Sequence, residues 1–303
     1  MFHPVSPGVY PMMKDEILDM YRESGRIARN ILDKGAGEVR IGASYLEVVE
    51  YVEDMVGNEG AGLAFPLNLS LNEAAAHDTA SPGEARIFQR GDVVKLDLGV
   101  HLDGYIADTA TTIDLGSNSL LLEASDQALS RAIEYARPGA TTGQLGTAIQ
   151  NEIESRGYRP VANLTGHGLA RFIIHTPPNI PNIGGDGGAV LEEGMVFAIE
   201  PFASTGSGRV NERPRTEIFQ QTAVKPVRLS SARKIIESVR ERRGMPFARR
   251  WLPVDKTDLA LSTLIRMQVL RSYPVLADLP GSLVSQHEHT LIVTEEGCLV
   301  TTR

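Results

Sequence analysis

Asp97 and Asp108 lie inside two runs of Val, Leu, Ile and Thr that meet at Asp103-Gly104. Asp-Gly between β-rich runs is a strong hairpin signal, so residues 92 to 114 read as two antiparallel strands. Strand propensity and burial both disfavour a carboxylate in such a setting. With Asp103 and Gly104 as the turn, Asp97 pairs opposite Ala110. Asp108 then lies diagonal to Asp97 on the same face, roughly 7–8 Å away at the backbone. Two anions on one half-buried face repel and lose hydration, and each raises the other's pKa unless a cation lies between them. A hard divalent metal, or a pair of them, relieves the conflict. For an isolated pair the plain alternative is one aspartate capping the hairpin while the other faces water.

Other residues extend the pattern. His77 closes the run Asn72-Glu-Ala-Ala-Ala-His77, and His167 stands between glycines in Thr165-Gly-His-Gly168. Those glycines leave room for a ligand or metal to approach the backbone. His175 follows eight residues later. Glu200 ends the apolar strand Met195-Val-Phe-Ala-Ile-Glu200, just before a proline that stops central pairing. Glu288 lies in the alternating segment Val284 to Val293. Asp97, Asp108, His167, Glu200 and Glu288 thus offer four carboxylates and one imidazole, all on strands or strand ends. Oxygen-rich ligation with one nitrogen suits Mn, Fe, Co or Zn. Five such side chains are enough for two ions roughly 3.5–4 Å apart, able to deprotonate a bridging water and polarise a carbonyl. His77 and His175 remain as hydrogen-bond donors to a substrate. This is the equipment of a hydrolase; the alternatives are metals with a structural role only, a packing role for a lone histidine, and a salt-bridged edge glutamate.

The surrounding elements must position these groups. Residues 13 to 34 read as an amphipathic helix with Ile17, Met20, Tyr21, Ile27, Ala28 and Ile31 on one face and Gly35 as its stop. A second helix starts near Ser44, a third spans about Leu121 to Ala136, and a fourth runs from Thr142 to Arg156. Helix, Gly-rich break, helix, then strands occurs twice, about 13–114 and 119–204, which suggests a two-fold pseudo-symmetric core. Residues 206–282 change character, with Arg and Glu clusters, and read as a mostly helical inserted subdomain. Its basic run Lys234 to Arg243 reads as a solvated helix face rather than an RNA site.

At 303 residues, 42% hydrophobic and 22% charged, the chain has ample core for one large domain or two ordinary ones. A net charge of −8 and a pI near 5.5 argue against a general nucleic-acid binder. One cysteine, Cys298, rules out an internal disulfide framework and fits a reducing cytoplasm. Met1 to Lys14 lacks the basic-then-apolar order of a signal peptide, and no run approaches 18 apolar residues. A soluble, cytoplasmic protein is expected.

The motifs taken in order resemble one family. Ala-Phe-Pro…Asn-Glu-Ala-Ala-Ala-His77, Asp97-Leu-Gly-Val…Asp108, Gly-His167-Gly…Ile-His175, Ile-Glu200-Pro-Phe and Gln-His-Glu288-His-Thr are similar to the motifs of the type II methionine aminopeptidases, in the short form typical of archaea. The resemblance covers nearly the whole chain. It implies the α/β (α+β) pita-bread fold of the creatinase/aminopeptidase group, in which two related halves enclose a dinuclear metal centre. The core would comprise 1–205 plus 283–303, and 206–282 would be the helical type II insert. It further implies metal-dependent removal of the N-terminal methionine from newly made proteins when the next residue is small. Asp97, Asp108, His167, Glu200 and Glu288 would hold two divalent ions (Co, Mn, Fe or Zn), with Asp108 and Glu288 bridging. Glu200 would also be the general base. His77 and His175 would steady the scissile amide and the developing oxyanion, while Phe65, Ile174 and Tyr273 would line the methionine pocket.

Two positions depart from the family pattern. His287 stands where an apolar or aromatic residue is usual, and Ile218 where some members place a histidine in the pocket. A prolidase or Xaa-Pro aminopeptidase uses the same ligand scheme but carries a large N-terminal domain, for which the 76 residues before His77 leave no room. A non-enzymatic pita-bread binding protein would have little use for a complete ligand set, since buried polar groups are costly without their metal. The expected partners are N-terminal methionines of nascent chains, with a transient ribosome contact, no specific nucleic acid and no membrane. The protein is expected to be a monomer.

Overall fold

The computed structural model describes residues 13–185, 187–252 and 255–303, so nearly all of the leader reading of Met1 to Lys14 lies outside it. The first amphipathic stretch forms α1 (Asp15–Glu38), and α2 (Tyr45–Asn58) follows, with Ser44 Oγ accepting from Glu47 N at 3.3 Å. Gly35 does not stop α1. It is buried within it, where a Cβ would meet Val52 at 2.6 Å, so its smallness lets the two helices approach. Three short strands come next, β1 (Gly62–Leu63), β2 (Asn68–Leu71) and β3 (Ala74–Ala76).

The central hairpin is β4 (Val93–Leu102) and β5 (Tyr105–Asp114). Asp103 (φ 47) and Gly104 (φ 89) make its two-residue turn, whose positive φ angles match the twist of the strands. The expected register holds, with Asp97 opposite Ala110 and Asp108 opposite Gly99. Helices α3 (Ser119–Tyr135) and α4 (Thr142–Ser155) follow, the latter opened by a Thr141/Gln144 capping box. Then come β6 (Arg159–Pro160), β7 (Thr165–Ala170), β8 (Ile173–Pro181), β9 (Val196–Ile199) and β10 (Phe202–Ser204). The run Met195–Ala203 is therefore two strands broken at Glu200-Pro201: β9 pairs with β7 and with the later strand β15 (His289–Val293), and β10 with β6 and with β14 (Val284–Gln286).

The stretch 206–282 is not mostly helical. It holds the long strand β11 (Asn211–Gln221), helix α5 (Ser230–Ser238), β12 (Phe247–Ala248), α6 (Thr257–Arg266) and β13 (Leu270–Ala277). Helix α6 ends at Arg266 and gives way to β13. The two long strands pair with each other, and β13 also pairs with β3 of the core. The chain closes with β14 (Val284–Gln286), β15 (His289–Val293) and β16 (Cys298–Val300).

The duplication read from the sequence has a physical counterpart. One apolar cluster packs α1 and α2 on β2 and β4; a second packs α3 and α4 on β8, β9 and β15. The halves join where β5 meets the start of β15. Asp108 N donates to Thr290 Oγ1 at 2.7 Å, Thr109 Oγ1 donates to the Glu288 carbonyl at 2.9 Å, and Ala110 and Glu288 form an antiparallel bridge. Among the described residues no helix is long and apolar enough to cross a membrane.

Candidate metal centre and apolar slot

Asp97 comes from β4, Asp108 from β5 and His167 from β7, while Glu200 and Glu288 occupy the breaks after β9 and before β15. All five line a cavity of about 260 Å³ between the two halves. Atoms of Asp108, His167 and Glu288 lie within 4.8 Å of one another. His167 Nε2 is 3.7 Å from Asp108 Oδ2 and 3.6 Å from Glu200 Oε1, too far for a direct hydrogen bond. Oxygens of Asp97, Asp108 and Glu288 are buried there with no partner.

Burial dominates the electrostatics. It raises Asp97 to about 7, and it lifts Asp108, Glu200 and Glu288 well above the carboxylate range, with neighbouring acids adding to the shift. The imidazoles go the other way. His167 falls to about 3 and His77 to about 4, by burial first and then by the nearby His175. A neutral imidazole and four acids, with three orphaned oxygens among them, suit a divalent cation far better than they suit one another.

The glycines beside His167 serve packing rather than ligand approach. A Cβ on Gly166 would lie 2.3 Å from the Ala198 carbonyl oxygen, and one on Gly168 would lie 2.2 Å from that of Pro177. They let β7 run close to β9 and β8, which fixes where His167 stands.

On the other side the cavity becomes an apolar slot walled by Phe65, Ile174, Ile218, Pro246 and Tyr273. His77 and His175 stand between the slot and the acids. The backbone of His77 is left-handed (φ 66), a costly conformation for a non-glycine residue, and its N–H donates to Asn68 Oδ1 at 2.7 Å. Its Nδ1 faces the Pro274 carbonyl at 3.3 Å, and its ring meets Tyr273 edge-on. His175 is exposed at the rim, where water screens the lowering that burial and Arg271 impose. His287 does not reach the cavity; its Nδ1 is 2.8 Å from Ser125 Oγ on α3.

Two amides passed unnoticed in the sequence. Gln286 is buried, donates from Nε2 to Glu200 Oε2 at 3.3 Å, and also bonds Asp97, lowering both acids against burial. Its sequence signal was its place at the head of the Gln-His-Glu288-His-Thr motif, which assigned it no role. Asn68, opposite Asp97 on β2, holds His77 and had no signal beyond being polar in a strand.

Comparison with known proteins agrees with this geometry. Residues 19–295 match the model of "Metallopeptidase family M24". A methionine aminopeptidase of Archaeoglobus fulgidus is 46% identical over 292 residues, covering 96% of this chain and all of that protein. Among solved structures, a methionine aminopeptidase from Rickettsia prowazekii superposes with a TM-score of 0.72 at 23% identity, over 97% of this chain and 100% of the other. A thermophilic Arx1 superposes with a TM-score of 0.85 at 19% identity, over 95% and 91%. The two superpositions bear on the fold.

Proposed function

The chain belongs to metallopeptidase family M24, and from that premise we propose that it is a metal-dependent methionine aminopeptidase. It hydrolyses the peptide bond after an N-terminal methionine. The observation that carries this reading is the meeting of unpartnered carboxylate oxygens with an apolar slot in one cavity that two histidines also line. The slot suits an unbranched thioether, which adapts to irregular apolar walls.

Asp97, Asp108, His167, Glu200 and Glu288 would hold two divalent ions drawn from Co, Mn, Fe or Zn. Bound there, they would supply a water of lowered pKa and polarise the scissile carbonyl. Glu200 would act as the general base, taking a proton from the attacking water and returning it to the leaving amine. Gln286 orients Glu200 by its 3.3 Å hydrogen bond. His77 is neutral, and a carbonyl can only accept, so its proton resides on Nδ1 toward Pro274. Nε2 is then an acceptor, suited to the N–H of the scissile amide rather than to donation. His175, at the rim, donates to the oxyanion as it develops. Phe65, Ile174 and Tyr273 grip the methionine side chain, with Ile218 making that grip wholly apolar on its flank.

The division into a core of 1–205 plus 283–303 and an insert of 206–282 belongs to the same reading. It is supported by the insert's own apolar cluster, built on α5 and α6. Substrates are N-terminal methionines of nascent chains with a small second residue, met by a cytoplasmic monomer in transient contact with ribosomes.

Metal-stripped protein is to be given Co, Mn, Fe or Zn and assayed for methionine release from Met-Gly-Met-Met and for cleavage of Xaa-Pro peptides. Metal-dependent cleavage of the first alone is expected. Cleavage before proline would move the chain to the prolidase group, and no cleavage with any ion would sink the enzymatic reading.

A further inference from the structure

We propose that Arg242 is a positioning residue that sets the width of the apolar slot, and through it the selectivity for the substrate's first side chain. The inference rests on reading that slot as the methionine pocket. Arg242 ends a short 3-10 turn, Arg240–Arg242, after α5 in the insert. Its guanidinium reaches back to the core: Nη2 donates to the Leu63 carbonyl at 2.9 Å and more weakly to that of Ala64 at 3.4 Å. Nε donates to the Pro246 carbonyl at 2.7 Å, and the Trp251 ring lies 4.9 Å away.

Among the described residues no carboxylate forms an ion pair with Arg242, whereas its neighbours Arg249 and Arg250 pair with Glu217, Asp258 and Glu53. Burial lowers its pKa to about 10, with Glu53 opposing, so the group remains charged near neutrality. A largely enclosed cation bonded only to backbone carbonyls holds chain segments in place.

Those segments are two walls of the slot. Leu63 and Ala64 lead directly into Phe65, and Pro246 lines the cavity from the insert. One planar group therefore fixes the separation of Phe65 and Pro246. The core binds this segment by few backbone hydrogen bonds, β1 pairing with β4 over two residues and Ala64 N donating to the Gly99 carbonyl at 2.8 Å, together with the packing of Ala64 and Phe65 in one apolar cluster with Ile106 and Ile174. The same turn also governs a third wall. The Gly244 carbonyl accepts from Gln220 Nε2 at 2.8 Å, and Gln220 Oε1 accepts from the Tyr273 hydroxyl at 2.6 Å.

Arg242→Met and Arg242→Lys test this, with kcat and KM measured on peptides beginning with Met or with Leu. In Arg242→Met we expect KM for the Met peptide to rise about tenfold with kcat little changed, and the Met-over-Leu preference to fall. Lysine keeps the charge without the planar fork, so Arg242→Lys should fall between. Gln220→Leu cuts the Tyr273 link and should lower the same preference; it keeps the test open if Arg242→Met does not fold. An unchanged preference in both Arg242→Lys and Gln220→Leu would overturn the proposal. Failure of the unmodified protein to release methionine would instead overturn the reading of the site beneath it.

Discussion

Glu200 can serve as a base only if it is ionised when it meets the water and can then hold the proton it takes, and its surroundings bear on both. Burial and the nearby Asp97 raise its pKa, while Gln286 bonds its charged form. Replacing Glu200 with glutamine removes the proton acceptor but keeps the shape and the hydrogen-bonding edge. Turnover of Glu200→Gln should fall about a hundredfold or more, with the circular dichroism spectrum and melting temperature near those of the parent. A rate within a few-fold of the parent would refute the assignment. Charge explains which site residues were legible. A carboxylate among Val and Ile contradicts its setting, and that contradiction pointed to Asp97, Asp108 and Glu200. Asn68 and Gln286 carry no charge, and Arg242 sat in a run of arginines that looked like an exposed face. Nothing local distinguished them, because their roles depend on carbonyls and acids brought near only by folding.

The elements that position these residues are coupled across the insert. Arg250, just past β12, pairs with Glu53 of α2, and both side chains are less than a tenth exposed. Trp251 Nε1 donates to the same carboxylate at 2.9 Å, and Leu67 N donates to it at 3.1 Å. Truncating one partner leaves a buried charge unpaired, so Arg250→Ala should cost about 3 kcal/mol in a urea melt. A loss below about 1 kcal/mol would mean that water replaces the guanidinium. Helices α1 to α4 were legible because each presents a periodic apolar face to the core of its half. Strands β11 and β13 were not. The sequence of β11, Asn-Glu-Arg-Pro-Arg-Thr-Glu-Ile-Phe-Gln-Gln, has a proline and few apolar residues, and its partner β13 lies some fifty residues further on. Such pairing is decided by distant chain, whereas the two-residue turn at Asp103-Gly104 carried the register of β4 and β5 within itself.

Across the whole molecule, the buried acids make stability depend on pH and on metal in opposite ways. Asp97, raised to about 7 from an unfolded value near 4, binds more protons folded than unfolded between those limits. Its contribution is therefore present at low pH and lost as pH rises through 7, and Asp108, Glu200 and Glu288 are shifted in the same direction. His77 and His167, lowered to about 4 and 3, act oppositely but only below about 6.5, where the unfolded imidazoles gain protons. Above that pH the buried Lys95 ammonium, lowered to about 7, works against the acids, but as one group against Asp108, Glu200 and Glu288 together. The melting temperature of metal-free protein should fall from pH 6.5 to 8, and adding a divalent ion should release protons and abolish the decline. A flat profile without metal would show the acids to be already ionised and hydrated. The bridge between Ala110 and Glu288 has a consequence in time as well as in space. The last acid arrives 180 residues after Asp108 along the chain, and the β15 residues that lock β5 arrive with it. During synthesis the protein therefore stays inert until Glu288 and β15 have emerged, and its first turnover must await the strand that completes the sheet.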